Sequence, residues 1–149
     1  MINVVGNAKS IFDAAHGELI DSGKVIRFNW GGIVGREHQG SRTDIVITSE
    51  MNVHRVQDVY QHAIILPTER VPYVEFSMNA VRDCEFASTG FITLYWLNKT
   101  KARNVNLFGF NWDTVEAYYK DDWIKHVHNY QEEKKFIQQW VEDNHWNLY

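Results

Sequence analysis

The residues with the clearest capacity for chemistry form a short polar segment, Ser88-Thr89-Gly90, directly before an apolar helical stretch. Serine is a good helix N-cap, and glycine lets a ligand approach the backbone closely. The first turn of a helix has unpaired N–H groups and the positive end of the helix dipole, which together suit a phosphate or a carboxylate. The segment therefore predicts an anion site, although Ser88 would cap the helix whether or not it also contacts a ligand.

Two asparagines, Asn7 and Asn29, each follow a short apolar run that is typical of a buried strand. A side-chain amide both donates and accepts hydrogen bonds, so either residue could bind a polar ligand. Taken alone, each could equally be only a turn residue or a helix cap.

His128 directly precedes a predicted helix that begins near Asn129. Imidazole can accept a proton near neutral pH, which makes His128 a candidate general base. It is also one of seven histidines, and a histidine near a helix start is often only a surface residue. Glu133 lies five residues further on, roughly 140° around an α-helix, so we expect it to support the site without stacking on His128.

The elements that must position these residues alternate along the chain. We expect strands at residues 2–5, 25–28, 44–48, 63–66 and 105–108, and helices at residues 9–20, 89–100 and 129–142. This alternation predicts one Rossmann-like α/β domain over residues 1–149, with a mostly parallel sheet and helices on both faces. Ligands of such sheets bind beyond the carboxyl ends of the strands, where Asn7, Asn29 and Gly109-Phe110 all lie.

The glycine-rich residues 31–40 are expected to be flexible and could border a sugar or serve only as a connection.

Composition narrows the functional classes. The 149 residues are 44% hydrophobic and 23% charged, as in an ordinary globular domain. A net charge of −4 and a pI near 5.9 argue against a nucleic-acid partner, which needs a basic face. We expect no membrane span, no metal site and, because the single cysteine Cys84 cannot form an internal disulfide, a cytoplasmic location.

Three segments resemble, in order, the motifs of the eukaryotic-type sialyltransferases, a family 29-like group of glycosyltransferases. The family's L motif is similar to residues 4–7 (VVGN), 20–21 (ID), 25–29 (VIRFN) and 40–43 (GSRT). Its S motif, which runs near Pro-Ser-Thr-Gly and ends near Val-Tyr-Gly-Phe-Gly, is similar to residues 87–110. Its third pattern, a histidine, four residues and a glutamate, fits residues 128–133. One short motif could arise by chance, but three in the right order make a strong case.

The sequence also departs from the family pattern at three positions. Ala102 stands where the S motif usually has the cysteine of a disulfide to the L motif, and Asn111 replaces the last glycine of the S motif. Ala117 replaces the histidine of a His-Tyr-Tyr type motif that helps the phosphate, so Tyr118-Tyr119 stand without it.

The resemblance implies inverting transfer of sialic acid from CMP-sialic acid to a sugar hydroxyl, with no cofactor beyond the donor and no metal. It makes His128 the catalytic base and Gly109 and Phe110 neighbours of the cytidine. The residues that it places at the substrates are Asn7, Ala8, Ser10, Asn29, Ser88, Thr89, Gly90, Gly109, Phe110 and Tyr118.

Partners and alternatives follow from the same resemblance. The implied partners are a CMP-sugar donor and a glycan acceptor, and a homo-oligomer could complete the acceptor site. Two alternatives stay open. The donor could carry another CMP-activated acid sugar such as Kdo, or the chain could be a nucleotide-binding module without catalysis.

Overall fold

The computed structural model describes residues 1–81, 86–113, 117–119 and 128–149, and Cys84 lies outside these ranges. The strands are β1 (Ile2–Val5), β2 (Lys24–Phe28), β3 (Ile45–Thr48), β4 (Ile64–Pro67), β5 (Val105–Phe108) and β6 (Asn147–Leu148). The helices are α1 (Gly17–Asp21), α2 (Arg36–Gln39), α3 (Val53–Val59), α4 (Val74–Ala80), α5 (Thr89–Lys99) and α6 (Tyr130–Asn144). Short 3₁₀ turns cover Lys9–Phe12, Glu50–Asn52 and Thr68–Arg70.

The described strands form one parallel sheet in the order β4-β3-β2-β1-β5-β6. Successive side chains of each strand point to opposite faces, so each face has its own core. On one face Val4 packs in a cluster with Phe91 of α5 and Ile137 of α6. On the other face Val5 packs with Ile20 of α1. The predicted Rossmann-like α/β fold, with a parallel sheet and helices on both faces, is confirmed.

The prediction of one continuous helix over residues 9–20 is wrong. The segment folds as a 3₁₀ turn at Lys9–Phe12 and the short helix α1, with residues 13–16 non-helical between them. Tertiary packing explains the break. Ile11 and Ile20 both reach the same apolar cluster, and Gly17 lies so close to α2 that a Cβ there would overlap the carbonyl oxygen of Arg36.

A chain of side-chain amides, here called the asparagine ladder (Asn3, Asn106 and Asn147), crosses three neighbouring strands in register. Asn147 Nδ2 donates to Asn106 Oδ1 at 2.8 Å, and Asn106 Nδ2 donates to Asn3 Oδ1 at 2.8 Å. Asn3 Nδ2 then donates to the carbonyl oxygens of Leu19 and Ile20 at the end of α1. The ladder satisfies buried polar atoms and fixes α1 against the sheet.

Candidate functional site

The crevice between the carboxyl ends of β1 and β5 is the topological switch point of the sheet, because the chain leaves β1 towards β2 and later returns to β5 on the other side. The two strand ends run close together. Gly6 N–H donates to Phe108 O at 2.7 Å, and Ala8 N–H donates to Gly109 O at 3.1 Å. A Cβ on Gly6 would overlap Gly109 O, and Gly109 has φ +65°, so both positions favour glycine.

Asn7 and Asn29 meet at this edge through Tyr119. Asn7 Nδ2 donates to Phe28 O at 3.1 Å and to the Tyr119 hydroxyl at 3.2 Å. Asn29, at φ 55°, accepts a hydrogen bond from Thr48 Oγ1 at 3.1 Å and also bonds the Tyr119 hydroxyl. Burial raises the pKa of Tyr119 well above its usual range, so its phenol stays protonated at neutral pH. Two strand ends and one phenol thus form a single polar cluster.

Tyr118 lies in a different environment from Tyr119. Its hydroxyl donates to Gly32 O at 2.7 Å, beneath the glycine-rich residues 31–40, and its ring packs edge-on against Phe12. Burial also raises the pKa of Tyr118. Gln39 Oε1 accepts from two N–H groups in the same segment. Tyr118 therefore holds the glycine-rich segment from outside, and Gln39 joins two parts of the segment to each other.

The remaining residues predicted near Asn7 have backbone roles in the structure. Ala8 forms an isolated antiparallel bridge with Ala117, and Tyr118 N–H donates to Asn7 O at 3.0 Å. These contacts join residues 117–119 to the end of β1. Ser10 lies half-buried in the following 3₁₀ turn, and its carbonyl oxygen accepts from Asp13 N–H.

Ser88 caps α5 as predicted, since its Oγ accepts from Phe91 N–H at 3.1 Å. The same hydroxyl donates to Glu133 Oε2 at 2.6 Å, and Ser88 N–H donates to Glu133 Oε1 at 2.7 Å. Glu133 therefore binds both donors of Ser88. The N–H groups of Thr89 and Gly90 follow in the first helical turn, which has no intrahelical partner for them.

Aromatic rings form the wall between this helix start and the strand ends. Phe110 and Phe28 lie edge to face, with ring centroids 6.1 Å apart. A Cβ on Gly90 would lie 3.3 Å from Phe110 Cε1, and one on Gly6 would lie 3.2 Å from Phe110 Cδ2. Phe110 thus lies between the end of β1 and the start of α5, where glycines leave room for its ring.

His128 is fixed by a backbone contact. Its Nδ1 lies 2.6 Å from Phe86 O, and its ring is edge-on to Tyr130 with centroids 5.5 Å apart. A carbonyl oxygen can only accept, so Nδ1 carries the hydrogen and, in the neutral ring, Nε2 has the lone pair that can accept a proton. His128 and Glu133, at the start of α6, therefore both attach to residues 86–88.

Glu133 is the least expected member of this site because only 1% of its surface is exposed. Burial raises its pKa to about 7, and the two hydrogen bonds from Ser88 oppose that rise. The sequence suggested a supporting role for Glu133 through its angle to His128, and its actual partner, Ser88, lies 45 positions away along the chain. No local signal could identify that pairing.

Two further residues of the L-like segments hold neighbouring loops. The carboxylate of Asp21 accepts from Ser41 N–H, Ser41 Oγ and Arg42 N–H, all at 2.8 Å. Buried Arg27 donates to Gln39 O, Arg42 O and the Thr43 hydroxyl. Asp21 thus fixes the segment after α2 to the end of α1, and Arg27 fixes it to β2.

Among the described residues, no group of three or more His, Cys, Asp or Glu side chains is placed to hold a metal ion. Within those same ranges, no helix combines the length and the apolar character that crossing a membrane requires.

Comparison of sequences finds no matching protein family and no matching curated protein. Comparison of structures finds sialyltransferases. A mammalian sialyltransferase in complex with Gal-β-1,3-GalNAc-ortho-nitrophenol superposes with a TM-score of 0.65 at 17% identity, over 99% of this chain and 68% of that one. A mammalian sialyltransferase structure gives a TM-score of 0.67 with the same identity and coverage.

A third similar structure is the sialyltransferase CST-II in complex with a trisaccharide acceptor and CMP. It superposes with a TM-score of 0.52 at 13% identity, over 99% of this chain and 79% of that one. At these identities the likeness establishes the architecture alone, and the chain has a sialyltransferase-like α/β fold.

Proposed function

We propose that this protein is a sialyltransferase that moves sialic acid from CMP-sialic acid to a sugar hydroxyl with inversion. The observation that carries the proposal is the double attachment of α6 to residues 86–88, through His128 to Phe86 O and through Glu133 to Ser88. This attachment holds a candidate base beside a helix start that suits an anion. Inverting transfer from a sugar phosphate needs one group of each kind, on opposite faces of the anomeric carbon.

The leaving group is the first requirement of the reaction. The bond between the anomeric carbon and the phosphate oxygen breaks, and its electron pair leaves with CMP. N–H groups of Thr89 and Gly90 can stabilise the charge that develops on the phosphate. The protonated phenol of Tyr119 is a further donor at the same edge of the sheet. Because these groups can stabilise the leaving phosphate, we expect transfer without a divalent metal.

The acceptor is the second requirement. Its hydroxyl oxygen attacks the anomeric carbon on the face opposite to the phosphate, which inverts the configuration. The hydroxyl proton moves to His128 Nε2, while Nδ1–H stays on Phe86 O and keeps the ring oriented. Asn7 and Asn29 can bind ribose, base or phosphate, and Phe110 offers an aromatic edge for the cytosine.

The donor prediction is that CMP binds more tightly than UMP, GMP or AMP. Calorimetric titration of the four nucleotides measures the preference directly. A panel of sugar acceptors with CMP-sialic acid then tests transfer, with CMP-Kdo as a parallel donor. Equal or absent CMP affinity would contradict the donor site. Tight CMP binding with neither transfer nor donor hydrolysis would contradict the enzyme and favour a nucleotide-binding module.

The two adjacent tyrosines offer a matched pair of variants. We expect Tyr119→Phe to lower kcat by about tenfold or more, because it removes a donor near the leaving phosphate. We expect Tyr118→Phe to leave kcat within about twofold and to lower the free energy of unfolding by about 1 kcal/mol, because Gly32 O loses its donor. Steady-state kinetics and urea unfolding of both variants separate the two roles, and the reverse pattern would assign the phosphate contact to Tyr118.

A further inference from the structure

A second cleft opens at the opposite edge of the sheet, beside the amino end of β5. Its volume is about 670 Å³, and it lies between the carboxyl-terminal ends of α5 and α6 and the turn that leads into β5. Ligand-binding clefts are typically of this size. The residues of the proposed transfer reaction do not line it.

The walls of this cleft are fixed by two helix caps. Lys101 follows α5 and His145 follows α6, both in the left-handed conformation. In each case the next residue closes the cap, with Ala102 N–H donating to Leu97 O and Trp146 N–H donating to Val141 O, both at 2.9 Å. These caps satisfy helix carbonyl groups and preset the shape of the cleft.

The side chains of the cleft carry more donors than their internal contacts use. Asn144 Nδ2 donates to Asn98 Oδ1 at 2.9 Å, which leaves the amide nitrogen of Asn98 for another partner. Within the described part of the chain, Lys101 and Arg103 have neither an ion pair nor a side-chain hydrogen bond. The cleft thus combines two unpaired cations with side-chain amides.

We propose that this cleft binds an acidic saccharide. Lys101 and Arg103 would hold the carboxylate of the ligand, since charge-assisted hydrogen bonds are the strongest polar contacts available there. Amides of Asn98 and Asn104 and the carboxylate of Asp143 would bind its hydroxyl groups, which both donate and accept. A neutral sugar would leave both cations unused, and a simple anion would fill only a small part of the volume. The site binds without reacting, so it is independent of the proposed transfer.

The probe is 3′-sialyllactose, added to ¹⁵N-labelled protein and followed by NMR. We expect chemical-shift changes at Asn98, Asn104 and His145, which line the cleft beside the amino end of β5. Replacing both cations, in the Lys101→Gln, Arg103→Gln double variant, should weaken binding at least about tenfold. Lys99→Gln is the matched control, because Lys99 lies on the same helix end with its ammonium over the Tyr95 ring and does not line the cleft. Its affinity should stay within about twofold of the wild type.

Lactose and inorganic phosphate complete the experiment. Equal affinity for lactose would show that the cations do not bind the ligand, and affinity for phosphate equal to that for sialyllactose would reduce the cleft to an anion site. Chemical-shift changes confined to the carboxyl ends of the strands would place the ligand in the crevice between β1 and β5. Each of these results, or unchanged affinity in the double variant, would overturn the proposal.

Discussion

His128→Ala is expected to lower the rate of sialic acid transfer by about 100-fold or more while CMP affinity stays within about twofold. The acceptor hydroxyl must lose its proton as it attacks, and the His128 tautomer set by Phe86 O has a basic Nε2. The proposed function assigns donor binding to other groups, at the ends of β1, β2 and β5 and at the start of α5. Single-turnover transfer and calorimetric titration of CMP measure the two effects separately.

A second substitution at the same position distinguishes catalysis from support. His128→Asn has an amide nitrogen that can still donate to Phe86 O, but it has no nitrogen that accepts a proton at neutral pH. We expect it to be as slow as His128→Ala. Recovery of the wild-type rate in His128→Asn would reduce His128 to a structural contact. Exposed His62, in the turn before β4, provides the control substitution His62→Ala, for which no change is expected.

Glu133 is expected to lower the free energy of unfolding as the pH rises. Its pKa in the folded protein is about 7, against an ordinary value of 4.5, so the native state binds more protons than the unfolded chain between these values. The stabilisation is complete below about pH 4.5 and is lost as the pH rises through about 7, a change of about 3 kcal/mol. Tyr130, whose pKa is raised to about 12, does not titrate in this window.

Urea unfolding between pH 4.5 and 8 measures this effect when the wild type is compared with Glu133→Gln. The variant cannot titrate at this position. Its free energy of unfolding should therefore lack the fall that the wild type shows as the pH rises, so the variant gains stability relative to the wild type. Glu132→Gln is the matched control, because Glu132 is adjacent, pairs with exposed Lys135 and should leave the wild-type slope unchanged. A wild-type slope that persists in Glu133→Gln would show that another group is responsible.

The parallel sheet could be predicted because five of its strands are short apolar runs, and four of these, β1, β2, β4 and β5, end at glycine, asparagine or proline. That pattern is local, and it identified five of the strands and the edge at which Asn7, Asn29 and Gly109 meet. Strand β6 has only two exposed residues, Asn147 and Leu148, and therefore no apolar pattern to detect. It pairs with β5, which lies about 40 positions earlier in the chain.

Local sequence patterns also predict only part of the candidate site. The cap at Ser88 is a local preference and was predicted, whereas the carboxylate that binds Ser88 comes from Glu133. Adjacent tyrosines cannot be ranked from sequence, because the backbone turn at residues 118–119 decides which hydroxyl reaches the asparagines and which reaches Gly32. The residues of the candidate site could therefore be predicted from local sequence, whereas their hydrogen-bond partners could not.

The asparagine ladder bears on how the chain avoids a wrongly assembled sheet. Apolar contacts discriminate poorly among strand registers in a parallel sheet, because most side chains on both faces are aliphatic. A shift of one residue between β1 and β5 would move Asn3 and Asn106 out of register and leave their buried amides unpaired, at a cost of about 1–3 kcal/mol each. The amides therefore favour the native register between two strands whose paired asparagines are 103 positions apart in the chain.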